Sequence, residues 1–436
     1  MKVLQCHNYY QQPGGEDRVL AEEAALLRSR GHTVEQFLLH NDDVNKFTAL
    51  TLAAKTIWSR DAHRELRRRV EAFAPDVVHV HNTLPLMSPS VYSAARAGGA
   101  AVVQTLHNYR MVCPGAYCQR DGEPCEKCVT KRVKWPALQH ACYRESRAAT
   151  APIVAMLAIH DLAGTFRKHV DRYIVCSDFA RHKMIEAGFM TDRLITKPNF
   201  RTEDLGQGPG GGGYALYIGR LSPEKGVATL MDAWDRDGMD VPLHVVGGGP
   251  MEDRVREVAA RRPAVNALGH VSFEVLQEQL RHASLLVFPS VTYEGHPMTL
   301  LEAMQAATPI VGSRLGAIPE LILEGKTGRT VLANDPVALG DGVAEMMADP
   351  QRLHSMRGDV RRFYESRFGL DTSYERLIAV YEEAIRHRHG KSVEPTSDHA
   401  NTEANGASKT SPASTTYTRF TTCPPTPALV GGEKAR

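Results

Sequence analysis

Four charged residues stand out by type and spacing. Arg220 and Lys225 lie five residues apart in GRLSPEKG, and Glu294 and Glu302 lie eight apart in YEGHPMTLLEAMQ. Arginine offers a planar fork and lysine a mobile point charge, a pairing suited to a diphosphate. Around the glutamates the local geometry is readable. Pro297 suits the first turn of a helix, because the N–H it lacks would be unpaired there, and residues 298–307 are rich in good helix formers. Glu294 then stands in the loop at the helix mouth, and Glu302 about one and a half turns in, roughly 7 Å along the axis. Ser, Thr, Asp and Asn, the usual capping side chains, are absent just before Pro297, and free N–H groups at a helix start attract anions. A ligand with an anionic centre flanked by hydroxyls, such as a sugar nucleotide, fits that layout. The bland alternative is a surface helix and turn with solvated charges.

The elements that must position these residues follow from the pattern along the chain. KVLQC, TVEQFLL, DVVHVH, AAVVQTLH and RYIVCS read as strands in the first half. An amphipathic helix over residues 15–31 ends at Gly31, and another lies near residues 89–97. In the second half YALYIG, PLHVVGGGP, LLVFPS and PIVGS read as strands, with helical patterns between them and an amphipathic helix near residues 371–387. Such alternation predicts parallel, doubly wound sheets. The expected organisation is a Rossmann-like domain over 1–200, a Gly-rich flexible linker over 201–213, a second Rossmann-like domain over 214–370, a C-terminal helix over 371–389 and a disordered Ser/Thr/Pro-rich tail over 390–436. In open sheets of this class ligands bind beyond the carboxyl ends of the strands, so a ligand is expected in the cleft between the two domains. Two glycine turns fall at such ends. GGGP, containing Gly248, lets backbone approach a ligand, and QPGGED opens a helix with Gly14 and Gly15 that can offer N–H groups to phosphate.

The chain has 436 residues and a formal net charge of +2, so nothing global points to nucleic acid. MKVLQCHNYY reads directly as a buried strand rather than an export signal. The most apolar helix candidate, residues 148–166, is interrupted by His160, Asp161 and Gly164. The expectation is a soluble cytoplasmic protein.

YIGRLSPEKG, HVVGGGP, ALGHV, FPSVTYEGHPMTLLEAMQAATPIVGSRLGAIPELI and GKTGRTV occur in this order, preceded by QPGGEDRVLAEEAALLRSRGHTV, DVVHVHN and TLHN. The set resembles glycosyltransferase family 4, retaining enzymes of the GT-B fold, over about residues 2–387. The resemblance implies an α/β protein in which two Rossmann-like domains face each other across a cleft. It implies transfer of a sugar from a nucleotide-diphosphate donor to an acceptor (glycan, lipid or small molecule) that the sequence does not identify. By that likeness Arg220 and Lys225 would hold the diphosphate and stabilise it as it leaves. Glu294, with Gly295, His296, Pro297, Met298 and Thr299, would bind the transferred sugar and the phosphates. Glu302 would accept from the ribose hydroxyls and Val271 would meet the base through its backbone. Gly14, Gly15, Gly219 and Gly248 would seat the donor closely. His107, at a strand end, would lie by the donor sugar and bond one of its hydroxyls. No cofactor is expected for catalysis. Asp235–Asp237 spells a D-x-D, but it falls at the end of a helical pattern, away from the strand ends.

Two features stay open at this level. Cys113, Cys118, Cys125, Cys128 and Cys142 cluster in an insertion spanning about residues 110–145. The C-x2-C spacing of Cys125 and Cys128 suits one side of a structural zinc site that Cys113 and Cys142 can complete; a redox pair and plain packing are the other readings. Arg60, Arg64, Arg67, Arg68 and Arg69, and separately Lys131, Arg132 and Lys134 beside Trp135, suit either solvated faces or a peripheral contact with the inner face of a membrane. Two rival functions remain: a glycoside hydrolase using the paired carboxylates, and a non-catalytic nucleotide-sugar-binding protein.

Overall fold

The computed structural model describes residues 1–12 and 14–390. The tail expected to be disordered lies, beyond Gly390, outside the described residues. The first half builds a six-stranded parallel sheet from β1 (Lys2–Tyr9), β2 (Thr33–His40), β3 (Val77–Asn82) and β4 (Ala101–Leu106). A short antiparallel hairpin of β5 (Gln119–Arg120) and β6 (Glu123–Pro124) interrupts the series, and β7 (Arg172–Val175) and β8 (Leu194–Thr196) complete it. The strand order is β2-β1-β3-β4-β7-β8. The second sheet runs β11-β10-β9-β12-β13-β14, from β9 (Ala215–Ile218), β10 (Leu243–Val246), β11 (Val265–Gly269), β12 (Leu285–Phe288), β13 (Ile310–Ser313) and β14 (Gly328–Val331). All pairings in both sheets are parallel. Strands covered on both faces must be apolar throughout, which is why β12, LLVF, and β4, AVVQTL, are buried along their whole length. The order reverses beside β1 and β3 in one sheet and beside β9 and β12 in the other, and these are the positions where such sheets hold ligands.

Two segments differ from the sequence reading. The Gly-rich stretch, read as a flexible linker, is strapped to the second half. Gly208 N donates to Ala306 O at 3.0 Å, Gly210 N to Arg281 O at 3.0 Å and Gly212 N to His282 O at 2.9 Å. The buried Arg357 guanidinium donates to Gly208 O at 2.9 Å and Ala306 O at 2.7 Å. Small residues are needed here because the backbone lies against the Arg281 and His282 carbonyls, not only because it must bend. The last helix, Leu370–Arg388, returns to the first half: Leu377, Val380, Tyr381 and Ala384 join Val3, Val77, Ala101 and Ile174 in one core cluster. Leu377 is fully buried there. Leu377→Ala is expected to cost about 2–5 kcal/mol of stability, read as a lowered denaturation midpoint of the first half in chemical unfolding. An unchanged midpoint would mean that the helix is not part of that core.

Candidate active site

Both helices that open on the cleft begin without a side-chain cap. The helix Gly15–Ser29 starts after Gly14, whose N–H is taken by Asp17 Oδ2 at 2.8 Å. The helix Met298–Gln305 starts after Pro297, which carries no capping side chain. A Cβ on Gly15 would stand 3.8 Å from Met298 Cγ, and one on Gly295 would stand 3.2 Å from the His107 carbonyl oxygen. Residues far apart in sequence (Gly14, Gly15, His107, Gly295 and Met298) are therefore neighbours, and two helix starts lie close together. The free N–H groups of a helix start favour an anion.

The charged residues gather around it. Lys225 Nζ donates to Glu294 Oε1 at 2.7 Å, and Ser290 Oγ donates to the same carboxylate at 2.8 Å. Burial alone would lower the Lys225 pKa, yet the Glu294 carboxylate raises it above its ordinary value, so the ammonium stays charged. The loop carrying Lys225 is tied to the Glu294 loop by Val291 N donating to Glu224 O at 3.1 Å. Arg220 is exposed and makes no side-chain hydrogen bond or ion pair among the described residues. Its loop is held instead through backbone: Gly219 N donates to Val246 O and Leu221 N to Gly248 O. The glycine turn after β10 is required sterically. Gly247 has φ 137°, and a Cβ there would lie 1.9 Å from Gly219 O; one on Gly248 would lie 2.1 Å from His270 Nε2. Val271 follows that histidine and packs partly buried on the second core.

Glu302 is more engaged than its spacing suggests. Arg18, at 2.9 Å, and Arg201, closer still, both donate to its Oε1 across the cleft. Burial raises the Glu302 pKa against the pull of both arginines. His296 is buried, with neither ring nitrogen hydrogen-bonded, and burial pushes its pKa down to about 3. Its carbonyl accepts from Asn199 Nδ2 at 2.8 Å, another bond between the halves. Glu16, at the mouth of the first helix, has one oxygen enclosed without a partner, and burial pushes its carboxyl up to about 7.

Sequence reasoning missed the group beneath His107. His81 Nδ1 and His107 Nε2 are 2.9 Å apart; His81 Nε2 faces Glu23 Oε2 at 3.5 Å; Lys197 Nζ donates to Glu23 Oε1 at 2.8 Å. Glu23, His79 and His81 are the one set of three or more His, Cys, Asp or Glu ligand atoms within 4.8 Å of one another among the described residues. They suit a cation poorly. His79 already bonds Tyr381 Oη at 2.8 Å and Thr105 Oγ1 at 2.7 Å, and the Lys197 ammonium already answers Glu23. Burial holds His79 down to about 4 and both His81 and His107 well below their ordinary range, so all three are neutral. His81 Nε2 and Glu23 Oε2 are enclosed without a hydrogen-bond partner, and the nearby carboxylate favours a proton on that nitrogen. With His81 protonated there, His107 would donate from Nε2 and carry a bare Nδ1.

Cys113, Cys125, Cys128 and Cys142, read from spacing as a zinc set, do not form a group of ligand atoms that close. Cys113 instead lies beside Cys118, which that reading left out, and the Cys118 thiol and nearby N–H groups lower the Cys113 pKa against the effect of burial. The arginine-rich helix Arg60–Phe73 is largely self-neutralised: Arg67 pairs with Glu71, and Arg68 and Arg69 with Glu65. Asp235, of the D-x-D, is held by Arg261 and Arg262.

The comparisons agree with this geometry. Residues 13–201 match the family model described as Glycosyltransferase Family 4, and residues 212–349 match that described as Glycosyl transferases group 1. The fold is GT-B. The structure of Anabaena Alr3699/HepE in complex with UDP superposes with a TM-score of 0.62 at 16% identity, covering 88% of this chain and 100% of that one. The chain belongs to glycosyltransferase family 4. It is 25% identical over 400 residues to the phosphatidyl-myo-inositol mannosyltransferase of Mycobacterium leprae, spanning 87% of this chain and 91% of that protein. It is 24% identical over 215 residues to the uncharacterized glycosyltransferase MJ1178 of Methanocaldococcus jannaschii, 49% of this chain and 60% of that one.

Two outcomes are expected. Long-range 1H–15N spectra of the wild type should show His107 protonated at Nε2; an Nδ1–H form would remove the relay from Glu23. A charged Glu16 opposes an anion at the Gly15 helix start, so nucleoside-diphosphate affinity should fall as pH rises through about 7. Glu16→Gln should flatten that fall, and an unaltered profile in the variant would discharge Glu16 from the site.

Proposed function

We propose that the protein is a retaining glycosyltransferase that moves a sugar from a nucleoside-diphosphate donor to an acceptor bound in the first half. The observation that carries this is the Lys225–Glu294 pair set beside two neighbouring helix starts without a side-chain cap. Lys225, Arg220 and the helix N–H groups stabilise charge that grows on the diphosphate as the bond from its oxygen to the anomeric carbon breaks. Glu294 and His107 orient the sugar, and the bare Nδ1 of His107 accepts from one of its hydroxyls. The acceptor oxygen bonds to the anomeric carbon from the face the diphosphate leaves, and its proton passes to a phosphate oxygen. This route asks for no carboxylate base. Glu302 keeps Oε2 for the ribose while Oε1 is held by Arg18 and Arg201. The engagement of both glutamates by cations weighs against the hydrolase reading, since a hydrolytic pair needs one carboxyl free as acid and the other as nucleophile or base.

A donor of this kind is supported by the UDP named in the HepE structure, and a lipid acceptor by the phosphatidylinositol named for the mycobacterial relative. No described helix is long and apolar enough to cross a membrane. A lipid acceptor would be reached by peripheral contact, for which Trp135, 55% exposed beside Lys131 and Arg132, is the best-placed anchor.

Calorimetry with UDP, GDP and ADP tests the donor side. One nucleotide should bind preferentially, and Arg220→Ala should weaken it by about tenfold or more, as for a charge-assisted hydrogen bond of about 1.5–3 kcal/mol. The Arg220 side chain holds no structural bond among the described residues, and its carbonyl, which accepts from Tyr217 Oη, is kept in the alanine variant, so a loss cannot be charged to misfolding. With the donor sugar in hand, NMR of the product should show the donor's anomeric configuration. An inverted product would overturn retention, and binding without transfer to any acceptor would favour the non-catalytic reading.

A further inference from the structure

A cavity of about 390 Å³ opens in the first half, lined by none of the donor-side residues. Its walls are apolar: Met111, Leu157, Phe166, Tyr173 and Phe189. Its polar lining is one-signed. Lys131, Arg132, Lys134, Arg167 and Arg193 face a single carboxylate, Asp161. That carboxylate is already claimed by Arg132 Nε at 2.8 Å. Lys134 turns its ammonium onto the Cys128 and Lys131 carbonyls, and Arg193 donates to Val170 O at 3.0 Å while its Nε is enclosed without a partner. Lys131 makes no side-chain bond among the described residues. Lys131, Lys134, Arg167 and Arg193 are thus left without a carboxylate around an apolar hollow, with Lys131 and Arg167 exposed where an anion can reach them.

The position of the cavity indicates what the anion is attached to. A smaller cavity of about 50 Å³ is lined by His81, His107 and Arg110, and it shares Met111, Leu157 and Phe166 with the larger one. The two hollows have these three apolar side chains in common, and His107 lines the smaller one. Around the outside, Val133, Trp135, Leu138 and Leu162 are exposed apolar residues on the same segments that supply Lys131, Arg132, Lys134 and Asp161.

We propose that this cavity is the acceptor subsite for a phosphate-bearing amphiphile, its apolar chain lying against Met111, Leu157 and Phe166 and its phosphate among Lys131, Arg167 and Arg193. The assignment as acceptor rests on the glycosyl-transfer reading; the affinity of the cavity for an anionic amphiphile does not. A free phosphate would need the cations but not the walls. An uncharged lipid would need the walls but not the cations. A ligand carrying both uses every part of the lining.

The test is calorimetric binding of dodecyl phosphate, below its micellar concentration, to the full chain, with inorganic phosphate and dodecanol as the two half-ligands. UDP and GDP binding is followed in parallel. Dodecyl phosphate should bind at least tenfold tighter than either half-ligand. Leu157→Trp, which fills the cavity, and Arg167→Glu, which reverses one rim charge, should each weaken it at least tenfold and leave nucleotide binding unchanged. Should Leu157→Trp not fold, Arg167→Glu and the surface change Lys131→Glu carry the test. Inorganic phosphate bound as tightly as dodecyl phosphate would overturn the proposal in favour of a simple anion site. Vesicles rich in phosphatidylglycerol held by wild type and Leu157→Trp alike, but not by Trp135→Ala, would overturn it in favour of a surface patch. Dodecyl phosphate bound as proposed by a protein that binds no nucleotide would leave the cavity standing and remove the transferase reading.

Discussion

The constraint on which the site depends is the close approach of two helix N-termini. Each helix start carries roughly half a positive charge, concentrated in its unpaired N–H groups, and here Gly15 of one helix approaches Met298 of the other. Two like ends repel unless an anion lies between them, so the halves need other bonds to hold this separation. They have them. Arg18 and Arg201 reach Glu302, Asn199 reaches the His296 carbonyl, and the N–H groups of Asp178 and Phe179 donate to Glu320. These bonds hold the two helix starts near one another, and the field they leave is one that an anion would answer. Both sheets must be parallel for this to work, because only then do all the strand ends, and the helices that follow them, open on the same side.

A second buried charge system lies one layer deeper. Glu23 and Lys197 are an enclosed ion pair between a helix and the end of the first half. Such pairs add little net stability, and breaking one leaves a costly unpaired charge. Its use is orientational. The carboxylate lies near His79 and His81, which are on one side of a strand buried along its length, and His81 in turn bonds His107. In the proposed reaction His107 touches the sugar and Glu23 does not.

Much of this was legible. Buried strands announced themselves as Val-, Leu- and Ile-rich runs ending in glycine or histidine, and Pro297 marked the helix start to within a residue. The partners of Glu302 were not legible, because Arg18 and Arg201 are 284 and 101 residues away and nothing local ties them to it. Glu23 did leave a signal. It falls between Val19, Leu20, Leu26 and Leu27 on the buried stripe of its helix, where an acid without a partner would be expensive. The two histidines of a fully buried strand were the matching half of that signal. The glycine run misled, since composition alone reports freedom of the backbone and not what the backbone is packed against.

The Cys-rich insertion, whose role spacing leaves open, reaches the second half. Tyr117 O accepts from Thr292 Oγ1 at 2.7 Å, and Glu126 accepts from Tyr293 Oη at 2.8 Å and from Lys183 at 2.8 Å. Glu123 accepts from Asn334 at 3.0 Å. Thr292 and Tyr293 immediately precede Glu294, so the insertion braces the loop that holds the carboxylate paired with Lys225. The hairpin Gln119–Pro124 is too short to keep its own shape. Its conformation depends on what surrounds it: the Cys113–Cys118 contact on one side and the bond from Cys125 N to Cys118 O on the other. The arrangement of the cysteines therefore bears on how firmly the first half grips the loop that carries Glu294.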